Sequence, residues 1–256
     1  MKTIVIAIQK GGQGKTFATC HLAQDFTEKR KLRVAVVDLD AQGDASFTLE
    51  AHDSGYAASR LFTDSADAVR AHFSARDNSG LTLIHADPAL IDIEQPLTAE
   101  EACGALKASM AVLAEFFDVC LIDTPPALGV RMTAAIMSAD FMLSPIEMEA
   151  YSVRGMSKMF AVMNNLLERN PHLQFLGMLP NKVEKRKPRH QANLASLRES
   201  YPDLVMPVKV GLRDSIGDAL EAGVPVWRIE KTAARDAIKE VRQFADYVFE
   251  KMEIAQ

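Results

Sequence analysis

Residues 9–17 read QKGGQGKTF, a glycine-rich stretch that nearly matches the phosphate-binding pattern G-x-x-x-x-G-K-[ST]. The end of the pattern is complete at residues 14–16, but Gln9 stands where the pattern has its first glycine, and Lys10 is an additional lysine. The apolar run TIVIAI at residues 3–8 precedes the loop, and the helical pattern FATCHLAQDF follows it. The order strand, glycine loop and helix favours a phosphate site over an ordinary turn.

Such a loop binds phosphate because its backbone N–H groups converge at a helix N-terminus, where the helix dipole also favours negative charge. We expect Lys15 to contact the β- and γ-phosphates of a nucleotide and the Thr16 hydroxyl to ligate Mg²⁺. The predicted nucleotide-binding residues of the loop are Gly11, Gly12, Gln13, Gly14, Lys15, Thr16 and Phe17.

Short apolar, β-branched runs separated by helical patterns continue along the chain. They are TIVIAI (3–8), RVAVVDLD (33–40), LTLIHA (81–86), VCLIDTPP (119–126), FMLSPI (141–146), FLGMLPNKV (175–183) and VMPVKV (205–210). Strands that alternate with helices predict an α/β fold, with a mostly parallel twisted sheet and helices on both faces. Ligands of such sheets bind at the carboxyl ends of the strands.

Two further segments have distinct patterns. Residues 52–80 are the least patterned part of the chain, and we expect a peripheral insertion there. A last helix is predicted at about residues 233–252, with an apolar stripe formed by Ala237, Ile238, Val241, Ala245, Val248 and Met252. The stripe favours core packing over a membrane anchor, because the chain does not end in a basic amphipathic tip.

Length and composition are typical of a soluble α/β protein. The chain has 256 residues and is 48% hydrophobic, which predicts a single domain over residues 1–256. No apolar stretch has the length of a membrane-spanning helix, and the N-terminus runs directly into the glycine loop, so we expect a cytoplasmic protein. The cysteines lack the spacing of a metal site and are interpreted as buried, reduced thiols; they are Cys20, Cys103 and Cys120.

Charge is distributed unevenly along the chain. The net charge is −5, but the part from Leu176 onward carries +2 and the remainder −7. The basic excess is greatest in KVEKRKPRH at residues 182–190. Charge alone favours an ordinary solvated loop here, and only an independent indication of DNA would favour a phosphate-binding surface.

Three acidic residues follow predicted strands. Asp123 ends the buried run VCLID, as expected of a carboxylate that holds magnesium through water. Asp38 and Asp40 end the run at residues 33–40, where an acid beside a γ-phosphate can orient the attacking water. Spacing does not choose between these two aspartates.

In this order, QKGGQGKT, VVDLDAQGDAS and VCLIDTPP resemble the deviant Walker A, Walker A-prime and Walker B motifs of the ParA/MinD ATPases. Three later segments are similar more narrowly to the ParA partition ATPases of IncP-type broad-host-range plasmids. They are SPIEMEAYSVRGMSKM, LPNKVEKRKPRH and the stretch from VGLRDSIGDALEAGVPVWRIEK to the C-terminus. The similarity covers nearly the whole chain and is weakest between residues 52 and 114.

The resemblance implies a role for each matching residue. ATP and Mg²⁺ are the implied ligands, with Lys15 serving the nucleotide of its own subunit and Lys10 crossing to the phosphates of the other subunit in an ATP-bound homodimer. Asp40 matches the residue that orients the hydrolytic water, and Thr16, Asp38 and Asp123 match positions at the metal. Asn181 and, more weakly, Pro207 match positions beside the adenine. Arg213 matches a basic residue that binds DNA non-specifically, and this surface is extended by Lys185, Arg186, Lys187 and Arg189.

The sequence departs from the family pattern at several positions. Phe17 replaces the usual second Thr or Ser, which removes a hydroxyl contact to the α-phosphate. Ala41 and Asp44 replace the more usual proline and asparagine after Asp40, changes expected to tune hydrolysis. The chain starts at its first strand, so we expect no N-terminal helix-turn-helix domain.

The implied function is ATP-dependent dimerisation and non-specific binding of double-stranded DNA. The implied partner is a ParB-type centromere-binding protein that stimulates slow hydrolysis, and the implied location is the nucleoid. One alternative is a MinD-like ATPase that cycles on membranes, which requires a lipid-binding C-terminal helix. A second is a DNA-binding or adaptor protein that does not hydrolyse its nucleotide. A reductase of the nitrogenase iron-protein type is disfavoured, because Cys103 and Cys120 lie outside the motifs for a bridged cluster.

Overall fold

The computed structural model of the chain describes residues 1–95, 97–149 and 168–253. Part of the segment SPIEMEAYSVRGMSKM, from residue 150 onward, lies outside the described residues, as do the last three residues of the chain. In the described ranges, seven strands form one sheet in which every named pair is parallel. The predicted α/β fold is therefore confirmed.

The strands of this sheet are β1 (Lys2–Ile6), β2 (Val34–Asp38), β3 (Asp53–Ala57), β4 (Leu81–His85), β5 (Val119–Asp123), β6 (Phe141–Glu147) and β7 (Gln174–Asn181). Their order across the sheet is β3-β4-β2-β5-β1-β6-β7. The central strands are apolar and buried along their length, as a sheet covered on both faces requires. The order places the ends of β2 and β5 beside the loop that follows β1.

The helices are α1 (Lys15–Glu28), α2 (Asp44–Thr48), α3 (Ala66–Ser74), α4 (Ala89–Asp92), α5 (Ala99–Leu113), α6 (Val130–Met137), α7 (Pro188–Ser200), α8 (Asp214–Glu221) and α9 (Ala234–Lys251). Short 3₁₀ turns occur at Glu50–His52, Ala58–Phe62 and Val226–Arg228. Successive side chains of a strand point to opposite faces of the sheet. Accordingly, Ile4 packs into a core with α1 and α9, whereas Val5 packs into a second core with α3, α5 and α6.

Residues 205–210, which were predicted to form a strand, do not. They run beside β7, where the N–H of Met206 donates to the carbonyl of Met178 and the N–H of Val210 donates to the carbonyl of Pro180. Only an isolated bridge between Met178 and Val205 is formed. Pro207 lacks an N–H group, and a proline interrupts a ladder of strand hydrogen bonds for this reason.

The segment expected to be a peripheral insertion contains β3, an edge strand of the sheet. Its sequence, DSGYA, has little β-propensity, and only Ser54 and Tyr56 are buried. Tyr56 is fully buried and packs against Phe73 of α3, with ring centroids 5.5 Å apart. The strand was missed because tertiary contacts, not local pattern, determine it.

The last helix, α9, agrees with its prediction to within two residues at each end. Five of the six predicted stripe residues are buried, and Ile238 is partly buried against the same core. The aromatic ring of Phe26 in α1 lies 5.7 Å from that of Phe249 in α9. The apolar face of α9 is thus occupied by core packing, as predicted.

Candidate nucleotide-binding site and basic surface

The glycine loop at residues 9–17 joins β1 to α1 in a conformation that depends on two glycines. Gly12 has φ +75° and Gly14 has φ +100°, both in the left-handed region that side chains disfavour. Gly14 also lacks room for a side chain, because a Cβ there would lie 2.1 Å from the Asn181 Nδ2 atom. Helix α1 begins at Lys15 without a side-chain cap, so its first N–H groups are available to phosphate oxygens.

The carboxylates at the ends of β2 and β5 meet at the start of α1, as the sequence predicted. The Thr16 hydroxyl donates to Asp123 Oδ2 at 2.7 Å, and Asp38 pairs with Asp123 in the register of the two strands. Both aspartates are buried. Burial raises the pKa of Asp123 to about 8, with a further contribution from the charge of Asp38. Burial likewise raises the pKa of Asp38 to about 6.

This cluster has the donor set for a divalent cation. Among the described residues, the buried Oδ1 atom of Asp123 has no hydrogen-bond partner. An unpartnered buried carboxylate oxygen is costly unless a ligand satisfies it. Magnesium prefers oxygen ligands, and the Thr16 hydroxyl and the Asp123 carboxylate supply them side by side. The residues present therefore fit a magnesium ion.

Asp38 is fixed by Ser46, the third residue of α2. Its Oδ2 atom accepts hydrogen bonds from the Ser46 N–H at 2.8 Å and from the Ser46 hydroxyl at 2.7 Å. Its Oδ1 atom accepts a hydrogen bond from the N–H of Asp40 at 3.1 Å. Asp40 itself is partly exposed. Asp38 is thus held in the sheet by three hydrogen bonds, whereas the carboxylate of Asp40 accepts one, from the N–H of Gln42 at 3.1 Å.

A cavity of about 660 Å³ lies over these groups. This volume is in the range of small-molecule sites. Its lining includes most of the predicted nucleotide residues, namely Gly11, Gly12, Gly14, Lys15, Thr16, Phe17 and Asn181, and also Asp40, the residue predicted to orient water. Pro207 does not line this cavity; it lines a separate hollow with Lys185 and Lys209. The geometry therefore gives no support to packing of Pro207 on a base in this arrangement.

Phe17 has a structural role that the sequence did not indicate. Its side chain is 5% exposed, and its ring centroid lies 5.0 Å from His21 and 6.3 Å from Phe244 of α9. A hydroxyl-bearing residue here would lose these contacts. The position that usually supplies a hydroxyl thus joins α1 to α9 in this chain.

Lys10 and Lys15 differ in their environments. Lys15 is 7% exposed at the first position of α1, whereas Lys10 is exposed in the loop. In the described part of the chain, Lys10 makes no ion pair. Lys15 lines the cavity, whereas the exposed Lys10 is not among the described residues that line it.

The predicted basic surface is partly neutralised by acidic neighbours. Lys187 Nζ lies 2.8 Å from Glu149 and 2.6 Å from Glu184, and Arg189 lies 3.4 Å from Glu149. The flanking pair Lys185 and Arg186, both exposed, forms no ion pair with any residue that the structure describes. Within the basic stretch at residues 182–190, Lys185 and Arg186 are therefore the cations that an anionic partner can reach.

Arg213 lines the nucleotide cavity but is held by α9. Its Nη2 atom lies 2.8 Å from Glu240 Oε1 and 3.3 Å from Asp236 Oδ2, and its Nε donates to Glu240 Oε2 at 3.3 Å. Glu240 also accepts a hydrogen bond from the N–H of Gly211 at 2.9 Å. The predicted DNA-binding arginine is therefore paired with two carboxylates of α9.

The cysteines agree only in part with the prediction of buried thiols. Cys20 and Cys120 are fully buried, and burial raises the pKa of both thiols. Cys103 is instead partly exposed on α5. Cys120 lies inside β5, where it is covered by the core.

No helix within the described ranges is long and apolar enough to cross a membrane. The membrane-cycling alternative requires a free apolar face on the last helix, but the apolar face of α9 packs against α1 and the sheet. Core packing of this face therefore favours the interpretation of the chain as a partition ATPase over its interpretation as a membrane-cycling ATPase.

Sequence reasoning missed two residues of the site. Ser46 orients Asp38, and its position just inside a helix after a strand end is a detectable signal. Glu240 holds Arg213, but it is 27 residues away in a helix of many charged residues. No local pattern distinguishes it from its neighbours.

Comparisons with known proteins agree with this geometry. A family model described as an AAA domain matches residues 1–175. The chain is 62% identical over 256 residues to protein IncC of Escherichia coli, covering all of this chain and 71% of that relative. It is 27% identical over 236 residues to a ParA family protein of Chlamydia muridarum, covering 91% of this chain and 92% of the relative.

A solved structure shares both the fold and measurable sequence identity. Cobyrinic acid a,c-diamide synthase from Mycobacterium smegmatis, with a bound ATP analogue and magnesium, superimposes with a TM-score of 0.72. The sequence identity is 26%, and the match covers 100% of this chain and 97% of that chain.

Proposed function

The chain belongs to the ParA family of partition ATPases, and from that premise we propose that it binds Mg²⁺ and ATP at the glycine loop, closes into a homodimer and then binds DNA. In this proposal the protein associates with the nucleoid in the cytoplasm. Hydrolysis releases the DNA and returns the monomer. A ParB-type centromere-binding protein accelerates a slow intrinsic turnover.

One observation carries the nucleotide proposal: the partly buried Thr16 joins the buried pair Asp38 and Asp123 beside the uncapped start of α1. The open N–H groups of the loop and the ammonium of Lys15 supply positive charge for the phosphates. A bound magnesium ion would be held by Thr16 and Asp123 and would offset phosphate charge. The ATP-analogue and magnesium complex of the synthase described above supports this assignment.

Hydrolysis needs an oriented water and additional positive charge at the γ-phosphate. Asp40 is partly exposed in the wall of the cavity, which suits a carboxylate that orients water. Lys10 is exposed and unpaired within the described residues, which suits a lysine that reaches the phosphates of a partner subunit. Because that lysine acts only across an interface, nucleotide state and dimerisation become coupled.

DNA binding in this proposal is a phosphate-backbone interaction with little dependence on base sequence. Lys185 and Arg186 provide exposed charge that forms no ion pair with the residues that the structure describes, and Arg213 provides a third cation that must first leave Glu240. A single protomer offers few such contacts. Two protomers joined by ATP would double them, which makes affinity depend on the dimer.

The proposal is tested by the binding of the purified protein to an arbitrary duplex without nucleotide, with ADP, with ATP and with a non-hydrolysable ATP analogue, each at low and moderate salt. Binding that needs a triphosphate, ignores base sequence and weakens with salt is the expected result. Intact ATP turnover without DNA binding in any state would contradict the DNA step. Absence of turnover with intact binding would favour a non-hydrolysing adaptor.

A further inference from the structure

The ends of β6 and β7 hold the glycine loop through a ring of side chains. Lys182, the residue after β7, donates from Nζ to the carbonyl of Gly12 at 2.6 Å and lies 2.5 Å from Glu147 Oε1. Glu147 is the last residue of β6, and its N–H donates to Gln13 Oε1 at 2.9 Å. Asn181 completes the ring, since its Nδ2 donates to the carbonyl of Gln13 at 2.8 Å.

These contacts satisfy two carbonyl groups of the glycine loop, which the proposed function assigns to phosphate binding. In such a loop the carbonyls point away from the ligand and need donors of their own. The consecutive carbonyls of Gly12 and Gln13 are taken by the consecutive residues Lys182 and Asn181. Both carbonyls therefore have hydrogen-bond donors from the end of β7.

The backbone of Lys182 is consistent with a positioning role. Its φ is +51°, in the left-handed region that residues other than glycine rarely adopt. Such a conformation persists only where neighbouring contacts hold it. The ion pair with Glu147 is partly exposed, with side-chain exposures of 41% and 23%, and pairs of this kind contribute little to global stability. We therefore expect the contact between Lys182 and Gly12 to affect the conformation of the glycine loop more than the free energy of unfolding.

We propose that Lys182, oriented by Glu147, is a positioning residue that presets Gly12 and Gln13 for the phosphates of the nucleotide. The inference rests on the proposed nucleotide site. A preset loop stabilises the bound nucleotide and the transition state of hydrolysis equally. Loss of the Lys182 contact should therefore weaken nucleotide affinity more than it lowers kcat. ADP and ATP should be affected similarly, because the loop contacts phosphates that both contain.

The test measures affinity for fluorescent ADP and ATP analogues with Mg²⁺, ATPase rate at saturating ATP and the Tm of the nucleotide-free protein. Lys182→Met should raise Kd for both nucleotides about tenfold, the effect of losing one charge-assisted hydrogen bond. It should change kcat less than about threefold and Tm by less than about 2 °C. Lys182→Arg, which keeps the charge and a donor, should restore most of the affinity.

The matched control is Lys231→Met, which removes another lysine–carboxylate pair of 2.5 Å, to Asp218, that does not touch the loop. It should leave both Kd values unchanged. A Kd for Lys182→Met within twofold of the native value would overturn the inference while leaving nucleotide binding intact. If Lys182→Met lowers Tm strongly, the Glu147→Gln variant is measured instead, because it retains the lysine and removes only the carboxylate that orients it. Unchanged nucleotide affinity in Glu147→Gln would also overturn the inference. A native protein that binds neither nucleotide would instead overturn the proposed function.

Discussion

Asp38 and Asp123 form one register pair at the carboxyl ends of β2 and β5, with both side chains buried. Burial raises the pKa of each carboxyl, to about 6 for Asp38 and to about 8 for Asp123. Two buried carboxylates side by side disfavour ionisation until a cation offsets their charge. The cluster thus costs stability in the nucleotide-free protein and is arranged for a ligand.

Asp123→Asn should therefore stabilise the protein without nucleotide at pH 7 by roughly 1–3 kcal/mol, because the amide is neutral without the proton that the buried carboxyl must take up on folding. Urea unfolding measures this change. In the native protein the raised pKa means that the folded state binds the proton more tightly than the unfolded state. Stability should then increase as the pH falls below about 8, and this increase should be smaller in the variant.

The control for Asp123→Asn is Asp118→Asn, at the opposite end of β5. Asp118 precedes β5, and hydrogen bonding to Arg33, 2.7 Å away, lowers the pKa of its carboxyl. Asp118→Asn should destabilise the protein by less than about 1 kcal/mol, since the pair is partly exposed. Equal destabilisation by both substitutions would contradict the charge argument for Asp123.

The site around the glycine loop was largely predictable because its residues lie at strand ends. The carboxyl ends of parallel strands meet at one edge of a sheet, so an acid at the end of a buried apolar run is expected near a loop that follows another strand. Asp38, Asp123 and Thr16 meet in this way. The geometry of that edge follows from topology and does not depend on detailed packing.

Contacts between distant surface residues were not predictable. Lys182 reaches Gly12 across 170 positions of sequence, and Glu240 reaches Arg213 from a helix whose charged residues look alike in the sequence. Both depend on how the edge of the sheet and α9 are placed relative to the loop. Likewise β3 has a sequence of low β-propensity, and it forms a strand through pairing with β4 and burial of Tyr56.

His21 should make stability depend on pH below neutrality. It is fully buried, and burial lowers its pKa to about 4 from the ordinary value of 6.5. The unfolded state therefore binds a proton that the folded state excludes, so the contribution is complete above about pH 6.5 and is lost as the pH falls toward 4. The loss should be roughly 3 kcal/mol.

The variant His21→Asn removes this titration while keeping a donor for the Phe17 carbonyl, which lies 3.1 Å from His21 Nδ1. Urea unfolding of the native protein and of the variant between pH 7 and 4.5 gives the slope of the free energy of unfolding against pH for each protein. The difference between the two slopes reports His21, because the other titrating groups contribute equally to both. Parallel pH profiles for the two proteins would exclude His21 as the cause.

Phe17→Thr should destabilise the protein although it restores the hydroxyl that the family usually has. Phe17 packs against His21 and Phe244, and removing a buried aromatic ring costs about 3 kcal/mol or more. Phe17→Leu, which fills more of the space, should cost clearly less. Midpoints of urea unfolding compare the two variants. A fully stable Phe17→Thr protein would show that the ring does not join α1 to α9.

Glu240→Gln should increase DNA binding in the absence of nucleotide. The neutral amide removes the nearer of the two carboxylates that pair with Arg213 and leaves only the exposed Asp236 at 3.3 Å. The freed charge should tighten binding at low salt by about three- to tenfold and should add about one phosphate contact to the slope of affinity against salt. Fluorescence anisotropy with an arbitrary duplex measures both. Glu250→Gln makes the same change of net charge on the exposed side of α9. Equal effects from both substitutions would indicate net charge, not release of Arg213, as the cause.

Lys10→Ala should abolish dimerisation by ATP while leaving nucleotide binding to the monomer largely intact. Lys15 is buried beside the cavity and is proposed to serve its own subunit, whereas Lys10 is exposed and has no ion-pair partner among the described residues. Analytical ultracentrifugation with a non-hydrolysable ATP analogue should show the native protein as a dimer and the variant as a monomer. Lys107→Ala, an exposed lysine on α5, controls for the lost charge. If Lys10→Ala still formed a nucleotide-dependent dimer with normal turnover, the lysine would not act across the interface, and the coupling between nucleotide state and assembly would have to come from other residues.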